Sequence, residues 1–371
     1  MAGPILVGAL IGGEGFFGIF MPALVGGFSD RNSRTVRDRS RLLAVFAVVV
    51  VLAIPAIGVI AAAGLHSILG YAVALVFLYA GYYAFPAPYW ALYPDLVPKE
   101  QSGRSPSAES TWRVIGVGLA LIGGGLLLDV WAGLPFFVAG GVATVVVGAL
   151  MWGLRHRQDD EIQADDSSSS SVSTIRDLLR DSRIRRLCLA NALWNLALAS
   201  LRAFVVLFFT AGLGKSSSFV STIIFPLVAV GIAVAAPRAG WAADKWGHVR
   251  LLTVSLGVYG VGMALPGIWQ YSWIAGLIPV VAAGAATVMT LPFSVLMRLL
   301  PEEHHGAASG LFGFSRGVGA TLGPVVTGTA ILLLAPVLHS THGYAAMWLV
   351  CSAALLVSIP LLWSLRGDER L

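Results

Sequence analysis

The sequence predicts an all-α polytopic membrane protein of about eleven transmembrane helices, built as two related halves. Three observations lead there. Of 371 residues, 57% are hydrophobic and only 12% charged, with a mean hydropathy of +0.81, whereas soluble domains carry about 25% charged residues. Apolar runs of about twenty residues, long enough to cross a hydrocarbon core of about 30 Å, recur along the whole chain. A short polar motif, Gly-x-x-x-Asp-(Arg/Lys), follows the first run at Gly26, Asp30 and Arg31, and it returns late in the chain at Gly240, Asp244 and Lys245.

Taken in order, the runs fall at 4–28, 42–64, 68–94, 110–130, 134–154, 187–212, 218–241, 249–269, 272–297, 307–335 and 342–365. The first lacks the basic leader and small-residue cleavage site of a signal peptide, and it leads directly into further spans. Five runs make an N-terminal half over 1–154, and six make a C-terminal half over 187–371. Between them, 155–186 breaks the composition: Asp159, Asp160, Glu161, Asp165 and Asp166 precede the serines 167–171, a solvated flexible linker. Residues 173–180 then read as a short amphipathic helix whose Leu and Ile residues lie along the membrane surface or against the loops, with its arginines toward lipid phosphates.

Charge placement fixes an expected orientation and excludes nucleic acid as the reason for a net charge of +5. Arg31, Arg34, Arg37, Arg39 and Arg41, then Lys99 and Arg104, then the arginines of 155–186, then Lys245, Arg250, Arg298, Arg366 and Arg370 occupy alternate loops and the tail. The opposite loops hold Lys215 alone. The linker and the C-terminus are therefore expected in the cytoplasm of a cell whose plasma membrane the chain crosses. With eleven spans Met1 then starts outside, which suggests a missing leading helix.

The halves align on themselves. Pro98, Glu100 and Gly103 match Pro301, Glu303 and Gly306; counting on, Arg113 pairs with Arg316 and Gly116 with Gly319. With the two copies of the polar motif, this is a parallel repeat of about six spans whose first copy shows five.

On these residues the chain resembles the major facilitator superfamily over essentially its whole length, less the first of twelve helices. That family's loop between helices two and three reads Gly-x-x-x-Asp-Arg-x-Gly-Arg-(Arg/Lys), with a weaker copy between helices eight and nine. Here Ser33 replaces a glycine before Arg34, while the second copy keeps Gly247 and Arg250. The resemblance implies a fold of two six-helix repeats. It further implies alternating access for a small-molecule solute, a monomer in the lipid bilayer, and no cofactor. It also implies that Gly26, Asp30, Arg31, Arg34, Gly240, Asp244, Lys245, Gly247 and Arg250 latch the halves on the cytoplasmic side. A charge cluster that only sets topology is the alternative, and it is the preferred reading for Arg37, Arg39 and Arg41. In the motif, glycine would admit a neighbouring backbone. The aspartate at the start of the turn would accept backbone N–H groups near a helix N-terminus.

Glu14, Arg113, Arg202 and Arg316 lie within spans, where ionisable groups are costly and face cavities or partners. Arg202 shares a helical face with Asn191 and Asn195 at the spacing 191, 195, 198, 202, and the resemblance implies that this helix lines the solute path. Glu14 is the one carboxylate near mid-depth of a span, so a protonation change there could couple transport to protons; a static Glu–Arg pair is the alternative. Arg113 and Arg316 could hold solute, or pair with carbonyls or Glu109.

Tyr79, Tyr82, Tyr83, Phe85, Tyr89, Trp90 and Tyr93 crowd the third run, as a glycoside platform or as packing, and Pro86 and Pro88 should break that helix. Ser29-Asp30-Arg31-Asn32-Ser33-Arg34 resembles the loop of glycoside–cation symporters and favours sugars or related solutes. Gly323-Pro324 is similar to an element of drug antiporters, which keeps efflux of apolar compounds as the alternative; a truncated member without transport is another. No metal-ligand spacing and no phosphate-cradling Gly-x-x-x-x-Gly-Lys occurs, so an enzyme is not expected. Cys188 and Cys351 read as small buried hydrophobes.

Overall fold

A computed structural model describes residues 3–32, 35–64, 67–92, 104–155, 180–269, 276–299 and 305–365, and these are almost wholly helical. In chain order the helices are α1 (Pro4–Asn32), α2 (Val36–Ala62), α3 (Ile68–Ala84), α4 (Pro86–Ala91), α5 (Arg104–Val130), α6 (Leu134–Leu154) and α7 (Ser182–Leu207). They continue as α8 (Phe225–Trp246), α9 (His248–Ile268), α10 (Ile278–Thr290), α11 (Pro292–Leu299), α12 (His305–Leu334) and α13 (Ala346–Trp363). Among the described residues ten helical stretches are long and apolar enough to cross a membrane, and Gly116–Val130 is a shorter apolar one. The chain is an integral membrane protein. The amphipathic helix expected at 173–180 lies almost wholly outside the described residues.

Local chemistry sets the helix ends. Thr35 caps α2 in a reciprocal box: its Oγ1 accepts from the Asp38 N–H at 3.3 Å while its own N–H donates to the Asp38 carboxylate at 3.2 Å. Asp181 caps α7 by accepting from the Arg183 N–H at 2.8 Å. Gly247, at φ 87°, makes the one-residue turn between α8 and α9, a conformation a side chain would resist. The third span breaks at Phe85, ahead of Pro86, as its prolines require. α2 illustrates the membrane pattern: Leu43, Ala47 and Ile57 are buried while Val45, Val48, Leu52 and Val59 face outward. A helix apolar on both faces suits lipid, not water.

The contacts divide the chain into two compact units, Met1–Phe16 with Ser167–Leu371, and Phe17–Asp166. In the second unit α2 packs on α3 and α6. In the first, α7 packs on α12 and α13, α9 on α13, and α8 on α10, around a core that includes Phe204, Phe208, Leu252, Leu256, Met347 and Leu355. The start of α1 joins the first unit because Gly8, Gly12 and Gly15 bring its backbone onto α12: a Cβ on Gly12 would lie 2.7 Å from the Thr321 carbonyl oxygen. This division differs from the halves expected at 1–154 and 187–371, since the early residues of α1 pack with the late helices.

Candidate functional site

Three helices of the first unit meet at backbone contact, and glycine is what allows it. A Cβ on Gly319 of α12 would overlap the Ala192 carbonyl of α7, and one on Gly323 would overlap that of Leu196. On the next face of α12, Thr321 and Pro324 meet Gly12 and Gly8 of α1, and Gly328 meets Pro4. The face of α12 between these two contacts carries Gly313, Arg316 and Ala320.

Glu14 and Arg202 bridge α1 and α7 beside this junction. The Arg202 Nη1 donates to the Glu14 Oε1 at 3.4 Å, a long bond, with side-chain exposures of 50% for the arginine and 29% for the glutamate. The two charges are paired without being sealed in. Arg316 is exposed and, among the described residues, makes no ion pair or hydrogen bond.

The face at 191, 195, 198 and 202 does not behave as one lining. Asn191 is 3% exposed, and its Nδ2 donates to the Phe312 carbonyl at 2.9 Å and the Ser315 hydroxyl at 2.8 Å. Asn195 donates to the Asn191 carbonyl at 2.9 Å and to its side-chain oxygen at 3.0 Å. Close approach of α12 at Gly319 thus turns Asn191 into an interhelical strut, while Asn195, half-buried, and Arg202 stay on the open side. Ser315, and Ser200 accepting from Thr327 at 2.8 Å, belong to the same seam and were not singled out from the sequence. The spacing Gly319-x-x-x-Gly323 is the signal that could have revealed it. Behind α7, Trp194 Nε1 donates to Ser358 at 2.7 Å and the Cys351 thiol to the Ala197 carbonyl at 3.3 Å. Both cysteines are buried, as expected.

The second copy of the polar motif differs in detail from its expected form. Asp244 lies in the last turn of α8, not in the turn that follows. It accepts from Arg298 Nη2 at 3.2 Å, with His248 Nε2 at 3.7 Å. Among the described residues a Cβ on Gly240 would meet nothing within 4 Å, so no close neighbour of that glycine is seen there. Lys245 stands 5.4 Å over the Trp241 ring, and Arg250 is exposed. In the first copy Gly26, Asp30 and Arg31 fall in the closing turns of α1, again helix in place of a hairpin. Their side chains, and that of Arg113, lie outside what is described, as does Arg34 altogether. Arg39 is buried while Arg37 and Arg41 are exposed.

In the second unit Tyr79 lies 6.2 Å from Phe17 between ring centroids, Tyr83 lies 5.1 Å edge-on from Tyr82, and Tyr89 stacks on Phe85 at 5.8 Å. The aromatic residues of the third span therefore pack largely on one another and on α1; the Trp90 side chain and Tyr93 lie outside the described residues. Among the described residues no group of three or more His, Cys, Asp or Glu could hold a metal.

Comparison with known proteins places this architecture. The chain is 25% identical over 285 residues to the multidrug resistance protein MdtG of Escherichia fergusonii, covering 74% of this chain and 66% of the relative. It is 25% identical over 289 residues to a ribitol transporter of Klebsiella pneumoniae, covering 70% and 64%. The chain spans between 19% and 66% of the length of the first curated relatives it matches. Its fold superposes on the crystal structure of a mutant of the nucleoside transporter NupG with a TM-score of 0.76 at 15% identity, covering 98% of this chain and 91% of that one. It superposes on a D-xylose-proton symporter with a TM-score of 0.72 at 14% identity, covering 97% and 87%. The family model described as Major Facilitator Superfamily matches residues 110–324 and 215–370. With two sets of packed apolar helices, a repeated Gly-x-x-x-Asp motif and that match over most of its length, the chain belongs to the Major Facilitator Superfamily.

Proposed function

We propose that the protein is a secondary active transporter that moves a small polar solute by alternating access, coupled to protons through Glu14. One observation carries this reading: the half-open Glu14–Arg202 pair across α1 and α7, at 3.4 Å. A carboxylate inside a span is tolerated while a cation faces it. When the helices move and the pair opens, the carboxylate can take up a proton in passing from one partner to another, which lowers the cost of moving a charge within the span. Sugars, polyols or related solutes are the favoured cargo. The symporter-like loop sequence supports this, as do a relative named for ribitol and neighbours named for nucleosides and D-xylose. In this reading the linker and C-terminus are cytoplasmic, Asp244 with Arg298 steadies the cytoplasmic ends of α8 and α11, and the chain works as a monomer in the plasma membrane.

The relatives named for multidrug resistance favour a second reading, proton-driven efflux of apolar compounds. Reconstituted vesicles under an imposed proton gradient separate the two. Uptake of labelled pentoses, polyols, disaccharides or nucleosides that collapses with the gradient favours the first, and gradient-dependent extrusion of a fluorescent dye favours the second. Neither activity from the folded protein would oppose both.

A further inference from the structure

Helix registers in the first unit place Glu14 between two arginines. Along α1, Gly8, Gly12 and Gly15 lie against Pro324, Thr321 and Gly317 of α12, an antiparallel register that sets Glu14 level with Gly319. Along α7, Leu196 lies against Gly323 and Ser200 bonds Thr327, a parallel register that sets Arg202 near the level of Gly328. At 1.5 Å per residue the Arg202 backbone stands on the order of 14 Å from that of Glu14 along α12. Arg316 stands only about 5 Å away, on the other side. The bond to Arg202 is therefore made by two side chains stretched toward each other, which accounts for its length of 3.4 Å.

Helical phase puts all three charges on one side. Arg316 lies on the α12 face between the positions that touch α7 (Gly319, Gly323) and those that touch α1 (Thr321, Pro324). Glu14 lies on the α1 face of Val7 and Ile11, which packs toward the core of this unit. Resting on the reading of Glu14 as the mobile charge of transport, we propose that Arg316 is its second station. The carboxylate exchanges between Arg202, toward the Leu213 end of the bundle, and Arg316, toward the Asp181 end, as access alternates. An intramembrane charge then keeps a partner in both states, and the pair acts as a bistable element that biases the two conformations. Arg316 is a positioning residue in this scheme.

The test reads conformation and needs neither solute nor proton gradient, so it can fail while proton coupling stands. In a background with Cys188→Ala and Cys351→Ala, a cysteine is introduced as Leu198→Cys, at a half-buried position on the α7 face between Asn195 and Arg202. Its reaction with a membrane-impermeant methanethiosulfonate is timed with the reagent on either side of lipid vesicles. Arg202→Gln and Arg316→Gln are expected to shift the ratio of the two rates at least threefold, in opposite directions. Both shifts should vanish in Glu14→Gln, and Arg316→Lys should shift the ratio less than Arg316→Gln, in the same direction. If Arg316→Gln fails to fold, Arg316→Lys serves alone with Arg202→Gln. Shifts in the same direction, no shift for either Arg316 variant, or opposite shifts that persist in Glu14→Gln would overturn the assignment.

Discussion

Replacing Gly319 and Gly323 together by alanine should part α7 from α12 and unfold the protein measurably earlier. A Cβ at Gly319 would overlap the Ala192 carbonyl oxygen and stand 2.9 Å from its carbon, and one at Gly323 would overlap the Leu196 carbonyl. Carbon contacts prefer about 3.5–4.0 Å, so the helices must separate by about 1 Å. Because both positions press on one interface a turn apart, one displacement serves both and the costs do not add. Overpacking of this kind costs about 1–3 kcal/mol. Parting the helices also weakens the Asn191–Ser315 and Ser200–Thr327 bonds, worth about 0.6 kcal/mol each. The better helix preference of alanine returns about 0.5–1 kcal/mol per site. The net loss is about 0–3 kcal/mol, to be measured by denaturant unfolding in detergent micelles. Gly313→Ala is the control, since its Cβ would meet nothing within 4 Å, and it should be neutral or slightly stabilising. A double variant as stable as that control would refute the close-packed seam.

The same seam shows how far the sequence could be read. Apolar runs, positive-inside loops and the repeated Asp30 and Asp244 motifs were enough for the membrane class and for the two-copy character of the fold, because hydropathy and charge act locally. The site was legible only in part. The spacing 191, 195, 198, 202 put three polar side chains on one face of α7, yet whether that face is open depends on where another helix closes. Gly319 closes it over Asn191 and leaves Arg202 open. Glu14 and Arg202 were each notable as intramembrane charges, but no local pattern joins residues 188 positions apart. The repeat was overread at Gly240, where the close neighbour expected of a motif glycine is missing among the described residues. It was also overread at Asp244, where the helix continues through the motif and Arg298 becomes the partner.

Two further outcomes follow from the ends of the helices. Asp181→Ala removes the α7 cap and should cost about 1 kcal/mol, seen as a lower unfolding midpoint. Hydrogen bonding to the Arg183 side chain holds the Asp181 carboxyl below its ordinary value of 3.8. Its contribution is therefore complete above that pH and is lost as pH falls through the lower folded value, so the wild-type advantage over Asp181→Ala should shrink in acid. Asp244→Asn breaks a pair whose side chains are 67% and 56% exposed. Stability should change by less than about 1 kcal/mol, while solute uptake by vesicles falls several-fold. A large loss of stability with unchanged uptake would make Asp244 a purely structural residue.

The central claim is most directly tested by Glu14→Gln in proteoliposomes, with proton flux and solute accumulation followed together under an imposed pH gradient. Removing the carboxylate should abolish accumulation and solute-dependent proton entry while leaving solute exchange at equal concentrations intact, because the path remains and only the coupling charge is gone. Accumulation with unchanged proton dependence in Glu14→Gln would contradict the account.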